Sequence, residues 1–236
     1  MENTYLAVDI ETTGLSPVKD KIIEIGAVKV VNGEVCGTFS RLIDPQVALS
    51  QRIVALTNIT DEMLFGQPTI QTVIKEFLEF AGNDPLLGHN ILFDYSFLKT
   101  EAKKQGLEFE RKGIDTLQIA RVLHPELESR SLESLSHYYG IANESQHRAY
   151  TDALAAHELY WHLSRHSGAT LDLTKARPLN YKVKKIEPMT AKQKNYLLDL
   201  VGYHKIELRQ SLEELTKSEA SRLIDRIIYE YGRMKS

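Results

Sequence analysis

Cysteine is almost missing: Cys36 is the only one in 236 residues. A lone thiol forms no internal disulfide and no cysteine-based zinc site, which fits a reducing compartment. Long apolar runs are missing too, since no stretch approaches the roughly 20 residues that a membrane helix needs. The opening residues, MENTYLAVD, carry neither a basic n-region nor a long apolar h-region. These absences predict a soluble, cytoplasmic protein with no membrane partner. Internal repeats and low-complexity segments are also absent. The formal charge is weak, −3, but it is unevenly placed. Residues 1–165 hold 15 Lys and Arg against 23 Asp and Glu, whereas the remainder from His166 holds 14 against 9. An acidic front with a basic tail suits a metal-using body joined to a polyanion-seeking arm. What is present, 42% hydrophobic residues, suffices for one full domain plus an appendage.

Residues 4–9 (TYLAVD) read as a buried strand. Residues 22–31 and 35–43 make two more, joined by Asn32-Gly33, a dipeptide suited to a tight hairpin. An irregular stretch is expected to Asn58. The spacing of Ile70, Val73, Ile74, Phe77 and Leu78 predicts a helix over 69–80. A short strand at 86–89 leads to a helix at 92–104. GIDT (113–116) reads as a last strand, with Asp115 or Thr116 capping the next helix. Leu132, Leu135, Tyr138 and Tyr139 mark another helix, and the longest runs from Ala149 to Arg165. Strands followed by strand–helix alternation predict an α/β three-layer body.

Strand period is two, so Asp9 and Glu11 leave the first strand on one face at its C-terminal end. Two buried carboxylates that repel each other are costly without a cation. Thr12, Thr13 and Gly14 then turn the chain and offer backbone N–H groups. Two more acidic positions follow buried elements. Asp94 ends GHNILFD (88–94), and Asp152 ends HRAYTD (147–152), in which His147 precedes the long helix.

The three segments, in this order, resemble the DEDD 3′–5′ exonucleases, in the subtype whose last motif carries histidine. That family includes the proofreading subunit of bacterial DNA polymerase III and relatives that trim RNA. The resemblance covers roughly residues 4–165. It implies a ribonuclease-H-like α/β/α exonuclease domain (1–166) with a five-stranded mixed sheet. A linker (167–188) and a small helical module (189–236) would follow. All-oxygen ligands without cysteine select hard cations. Asp9, Glu11, Asp94 and Asp152 would thus hold two Mg2+ or Mn2+ ions, with no organic cofactor. Asp9 would bridge the ions, Glu11 and Asp152 would complete the site of the attacking water, and Asp94 would lie toward the leaving group. His147 would act as the base. By similarity, Thr12, Thr13 and Gly14 line the terminal 3′ nucleotide, Leu15 packs on a base, and His89 and Asn90 flank the strand. LTNITDEML (56–64) resembles the segment beside the substrate end, with Thr57 and Asn58 where relatives often carry histidine and glycine.

The function implied is release of nucleoside 5′-monophosphates from single-stranded DNA ends, alone or beside a polymerase subunit. Exoribonuclease activity and a catalytically silent nucleic-acid-binding module are the alternatives. Other features read as structural. His162 and His166 favour a helix C-terminus, Tyr138, Tyr139 and Trp161 read as core, and Cys36 reads as a small buried hydrophobe. In the tail, Thr190 with Gln193 and Thr216 with Glu219 form two capping boxes, and Ala220, Leu223, Ile224, Ile227, Ile228 and Tyr231 form an apolar stripe.

Overall fold

The computed structural model describes residues 2–142, 148–165, 171–183, 187–208 and 211–234. The chain divides into two compact units, Met1–Lys182 and Val183–Ser236.

The larger unit begins with β1 (Tyr5–Thr12), β2 (Ile22–Val31) and β3 (Glu34–Leu42). Asn32 and Gly33 both have positive φ, 53° and 86°, so the β2–β3 hairpin has the left-handed turn that matches strand twist. Next come α1 (Gln51–Thr57), α2 (Asp61–Leu64), α3 (Ile70–Ala81), β4 (Leu86–Gly88) and α4 (Leu92–Lys104). The unit continues with β5 (Lys112–Asp115), α5 (Thr116–Leu123), α6 (Leu132–Tyr139), α7 (Ala149–Arg165), a 3-10 turn at Leu171–Thr174, and β6 (Arg177–Pro178). The sheet order is β3-β2-β1-β4-β5-β6. Within it, β1–β4 and β4–β5 pair in parallel, and the other neighbours are antiparallel.

Alternation along β1 separates two cores. Leu6, Val8 and Ile10 join Val73, Ile74 and Phe77 of α3 and Tyr95, Phe97 and Leu98 of α4. Tyr5 and Ala7 face α5, α6 and α7 through Ile119, Leu135, Ala153, Leu159 and Tyr160. The expected three layers are present. Pairing of β1 with β4 stops at Ala7–Leu87, so beyond it β1 borders an open crevice. The chain leaves β1 toward β2 on one side and returns to β4 on the other, the kind of switch point where ligands bind.

Tyr138, expected in the core, is exposed, and three further expectations are corrected. The sheet has six strands, not five, because Arg177–Pro178 pairs with Gly113 and Lys112 at the edge. The stretch before Asn58 is helical, started by the Ser50 cap and ended by Asn58 in the left-handed conformation. Cys36 is exposed, because β3 is the opposite edge strand and most of its side chains face water.

In the smaller unit, α8 (Ala191–His204) and α9 (Lys217–Tyr231) both begin with complete capping boxes. A 3-10 turn, Leu212–Glu214, lies between them. Leu197, Leu200, Leu215, Ala220, Leu223 and Ile227 form a separate small core.

Candidate active site

The crevice beside β1 gathers acidic side chains from three elements. Asp9 and Glu11 come from the end of β1, and Asp152 comes from the first turn of α7. One carboxylate oxygen from each lies within 4.8 Å of the others. Asp94, in the first turn of α4, is 3% exposed. Its Oδ1 accepts the Ile10 N–H at 3.1 Å, taking the place of the ladder partner that β4 no longer supplies. The four carboxylates line a cleft of about 260 Å³ together with Ile10, His89, Asn90, Phe93, Ser131, Leu132 and Glu133.

Burial and mutual repulsion dominate the electrostatics of the cluster. Burial and then the charges of Asp94, Asp152, Glu11 and Glu24 push the Asp9 carboxyl well up. Burial also raises Asp94, against the hydrogen bond from Ile10. Glu11 is pushed up to about 8 by burial, Asp152 and Glu24, with Arg148 pulling the other way. A hard divalent cation suits this donor set, since it supplies positive charge to carboxylate oxygens without needing nitrogen or sulfur.

The loop after β1 is tied internally. Thr12 donates its hydroxyl to the Gly14 carbonyl at 2.6 Å, and Thr13 Oγ1 accepts the Lys21 N–H at 2.9 Å. A Cβ on Gly14 would stand 2.6 Å from the Asp20 carboxylate, which itself accepts the Ser16 N–H. Leu15 at the tip of this loop is 84% exposed. His89 lines the cleft with both ring nitrogens engaged. Nε2 donates to the Arg130 carbonyl at 2.8 Å, and Nδ1 meets Thr116 Oγ1 at 2.9 Å. Burial holds its pKa down, and the Thr116 hydroxyl that meets Nδ1 also lies 3.2 Å from the Gly88 carbonyl. Asn90 sits at φ 69°, its N–H held by Asp115.

Of the Thr57–Asn58 pair, Asn58 is exposed but Thr57 is not. Thr57 is 0% exposed, and its hydroxyl donates to Ile53 O and accepts from Ile59 N–H. The side chain closes the end of α1 instead of facing a strand. His147 lies outside the described residues.

Sequence reasoning missed how α7 is seated. Glu24, Glu11's partner across the β1–β2 ladder, is 1% exposed. It takes the Arg148 guanidinium at 2.8 and 3.2 Å and the Ala149 N–H at 3.0 Å. Gly26, Asp9's partner, leaves room for the helix, because a Cβ there would stand 2.1 Å from the Ala149 and Tyr150 backbone. The signal was present: IIEIGAV (22–28) has one charged residue and one glycine in an otherwise apolar stretch.

A mixed sheet covered on both faces, with carboxylates gathered where its first strand ends, defines a ribonuclease-H-like exonuclease domain. Residues 6–160 match the RNase T exonuclease family, and the chain belongs to that family. It is 40% identical over 181 residues to the PolC-type DNA polymerase III of Clostridium perfringens, covering 77% of this chain and 12% of that protein. For the PolC-type enzyme of Halalkalibacterium halodurans the identity is 44% over 164 residues, covering 69% and 11%. The chain therefore spans only a small part of these relatives. Among solved structures, exonuclease X in complex with 5′ overhanging duplex DNA superposes with a TM-score of 0.59 at 27% identity, over 72% of this chain and 99% of that one. The fold is also that of zinc-bound E. coli ExoI in its ssDNA complex, with a TM-score of 0.64 at 20% identity, over 73% and 42%.

Proposed function

We propose that the chain is a divalent-metal-dependent 3′–5′ exonuclease that removes nucleoside 5′-monophosphates from single-stranded DNA. The observation that carries this reading is the convergence of Asp9, Glu11 and Asp152 within 4.8 Å, with Asp94 completing the cleft wall. These four would hold two Mg2+ or Mn2+ ions. Bound there, such ions would lower the pKa of the attacking water and stabilise charge on the leaving oxygen. His147, next to the anchored Arg148, takes the proton from the attacking water. Thr12, Thr13 and Gly14, in the turn that follows Glu11, receive the terminal sugar. Leu15, projecting into solvent, packs on the terminal base, while His89 offers a ring face and Asn90 a side chain. Asn58 borders the strand, and Thr57 acts by fixing the turn beneath it.

The PolC-type relatives favour DNA over RNA and a proofreading role beside a polymerase. No helix among the described residues is long and apolar enough to cross a membrane, in keeping with work in the cytoplasm. Matched DNA and RNA oligonucleotides, each with a free or 3′-phosphorylated end, test the reading in Mg2+. Faster loss of the DNA, blocked by the 3′-phosphate, is expected. Preferential loss of RNA would move the assignment to an exoribonuclease, and equal cleavage of blocked ends would mean an endonuclease.

A further inference from the structure

Asp152 reaches Asp9 and Glu11 only if α7 begins at the right place on the sheet. Two features fix that place, and both lie on the face of β2 that opposes the acidic end of β1. Gly26 lets the Ala149–Tyr150 backbone lie against the strand, and the Glu24 carboxylate grips the Ala149 N–H. Asp152 follows about one helical turn later.

The same carboxylate holds Arg148 through three hydrogen bonds, Nη2 to Oε1 at 2.8 Å and Nε to both oxygens at 3.2 Å. The Arg148 side chain is 37% exposed, and its charge acts on Glu11 as well as on Glu24. A guanidinium beside a carboxylate cluster competes for the same oxygens as a metal ion unless it is tethered. Across the ladder, Glu11 and Glu24 face each other as like charges. Arg148 offsets that repulsion from the Glu24 side.

We propose that Glu24 is a positioning residue for cation binding: it tethers Arg148 away from Asp9, Glu11 and Asp152 while seating the start of α7. This rests on reading those three carboxylates as a metal site. Once the tether is neutralised, Arg148 turns toward Glu11 and Asp152 and displaces the ion.

The experiment counts free Mn2+ by electron paramagnetic resonance in titrations of the full chain, alongside melting in EDTA. In Glu24→Gln the amide oxygen still accepts the Ala149 N–H, but the charge that holds Arg148 is gone. Its Mn2+ dissociation constant should rise about tenfold, the scale of lost outer-shell partners. The double variant Glu24→Gln/Arg148→Gln, which lacks the competitor, should recover most of the parental affinity. A purely structural role would lower the metal-free melting temperature and leave Mn2+ affinity unchanged. That result, or a double variant as weak as the single one, overturns the proposal. If Glu24→Gln does not fold, Glu24→Asp keeps the charge on a shorter arm and should weaken Mn2+ binding in the same direction. Parental affinity in that variant also overturns the proposal. A parental chain that binds no Mn2+ would remove the metal reading itself, a different failure from an insensitive Glu24.

Discussion

Glu11 carries a carboxyl lifted from 4.5 to about 8 by burial, Asp152 and Glu24. Between those values the folded chain holds a proton that the unfolded chain has released. The stability it brings is complete below 4.5 and is lost as pH rises through 8. Urea midpoints measured in EDTA should therefore fall between pH 5 and 8 by more in the parent than in Glu11→Gln, and Mg2+ should oppose the fall. Equal slopes in the two proteins would remove Glu11 as the source. Asp152→Asn keeps the shape and removes the charge, so it should lose most turnover while retaining the parental melting curve in EDTA. His147→Ala should lower turnover on the order of 10²–10⁴-fold while sparing Mn2+ affinity, and unchanged turnover from pH 6 to 9 would exclude it as the base. Asp9 and Glu11 were legible because a strand puts alternate residues on one face. Thr57 was not, because its burial depends on how α1 closes over Ile53 and Ile59, which no local pattern records.

Among the elements, α7 depends most on its neighbours. A Cβ at Gly26 would stand 2.1 Å from backbone atoms of Ala149 and Tyr150, and backbone cannot step aside as a side chain does. Gly26→Ala should cost about 1–3 kcal/mol, as overpacking does, and weaken Mn2+ binding because Asp152 moves with the helix. Denaturant unfolding and Mn2+ titration of one preparation check both effects. Parental values in both would show that α7 is not seated on Gly26. In the smaller unit, Thr216 accepts from Glu219 N–H while Glu219 reaches back to Thr216 N–H. The α8 and α9 starts were readable for this reason, since a capping box is a four-residue signal. β6 and α1 were not. A two-residue edge strand ending in proline has no period, and α1 spans only Gln51–Thr57, too short for an apolar stripe to stand out.

For the molecule as a whole, the three-layer body followed from the order of elements, whereas the sixth strand arises only where residues after α7 return to the sheet edge. The match to the exonuclease family ends at residue 160, and Val183–Ser236 forms its own compact unit. The excess of basic residues after Arg165 suits contact with a nucleic-acid backbone. A chain ending at Lys182 should keep turnover on short oligonucleotides but bind long single strands more weakly and with a shallower salt dependence. Fluorescence anisotropy across a salt series measures this, and an identical slope would end the idea of a binding arm. The central claim, that the carboxylate cleft removes nucleotides from a 3′ end with divalent metal, is tested most directly on a 5′-labelled single-stranded DNA. In Mg2+ the parental chain should give a ladder of products shortened one nucleotide at a time, with none in EDTA or from Asp9→Asn. A ladder that persists in EDTA, or from Asp9→Asn at the parental rate, would contradict it.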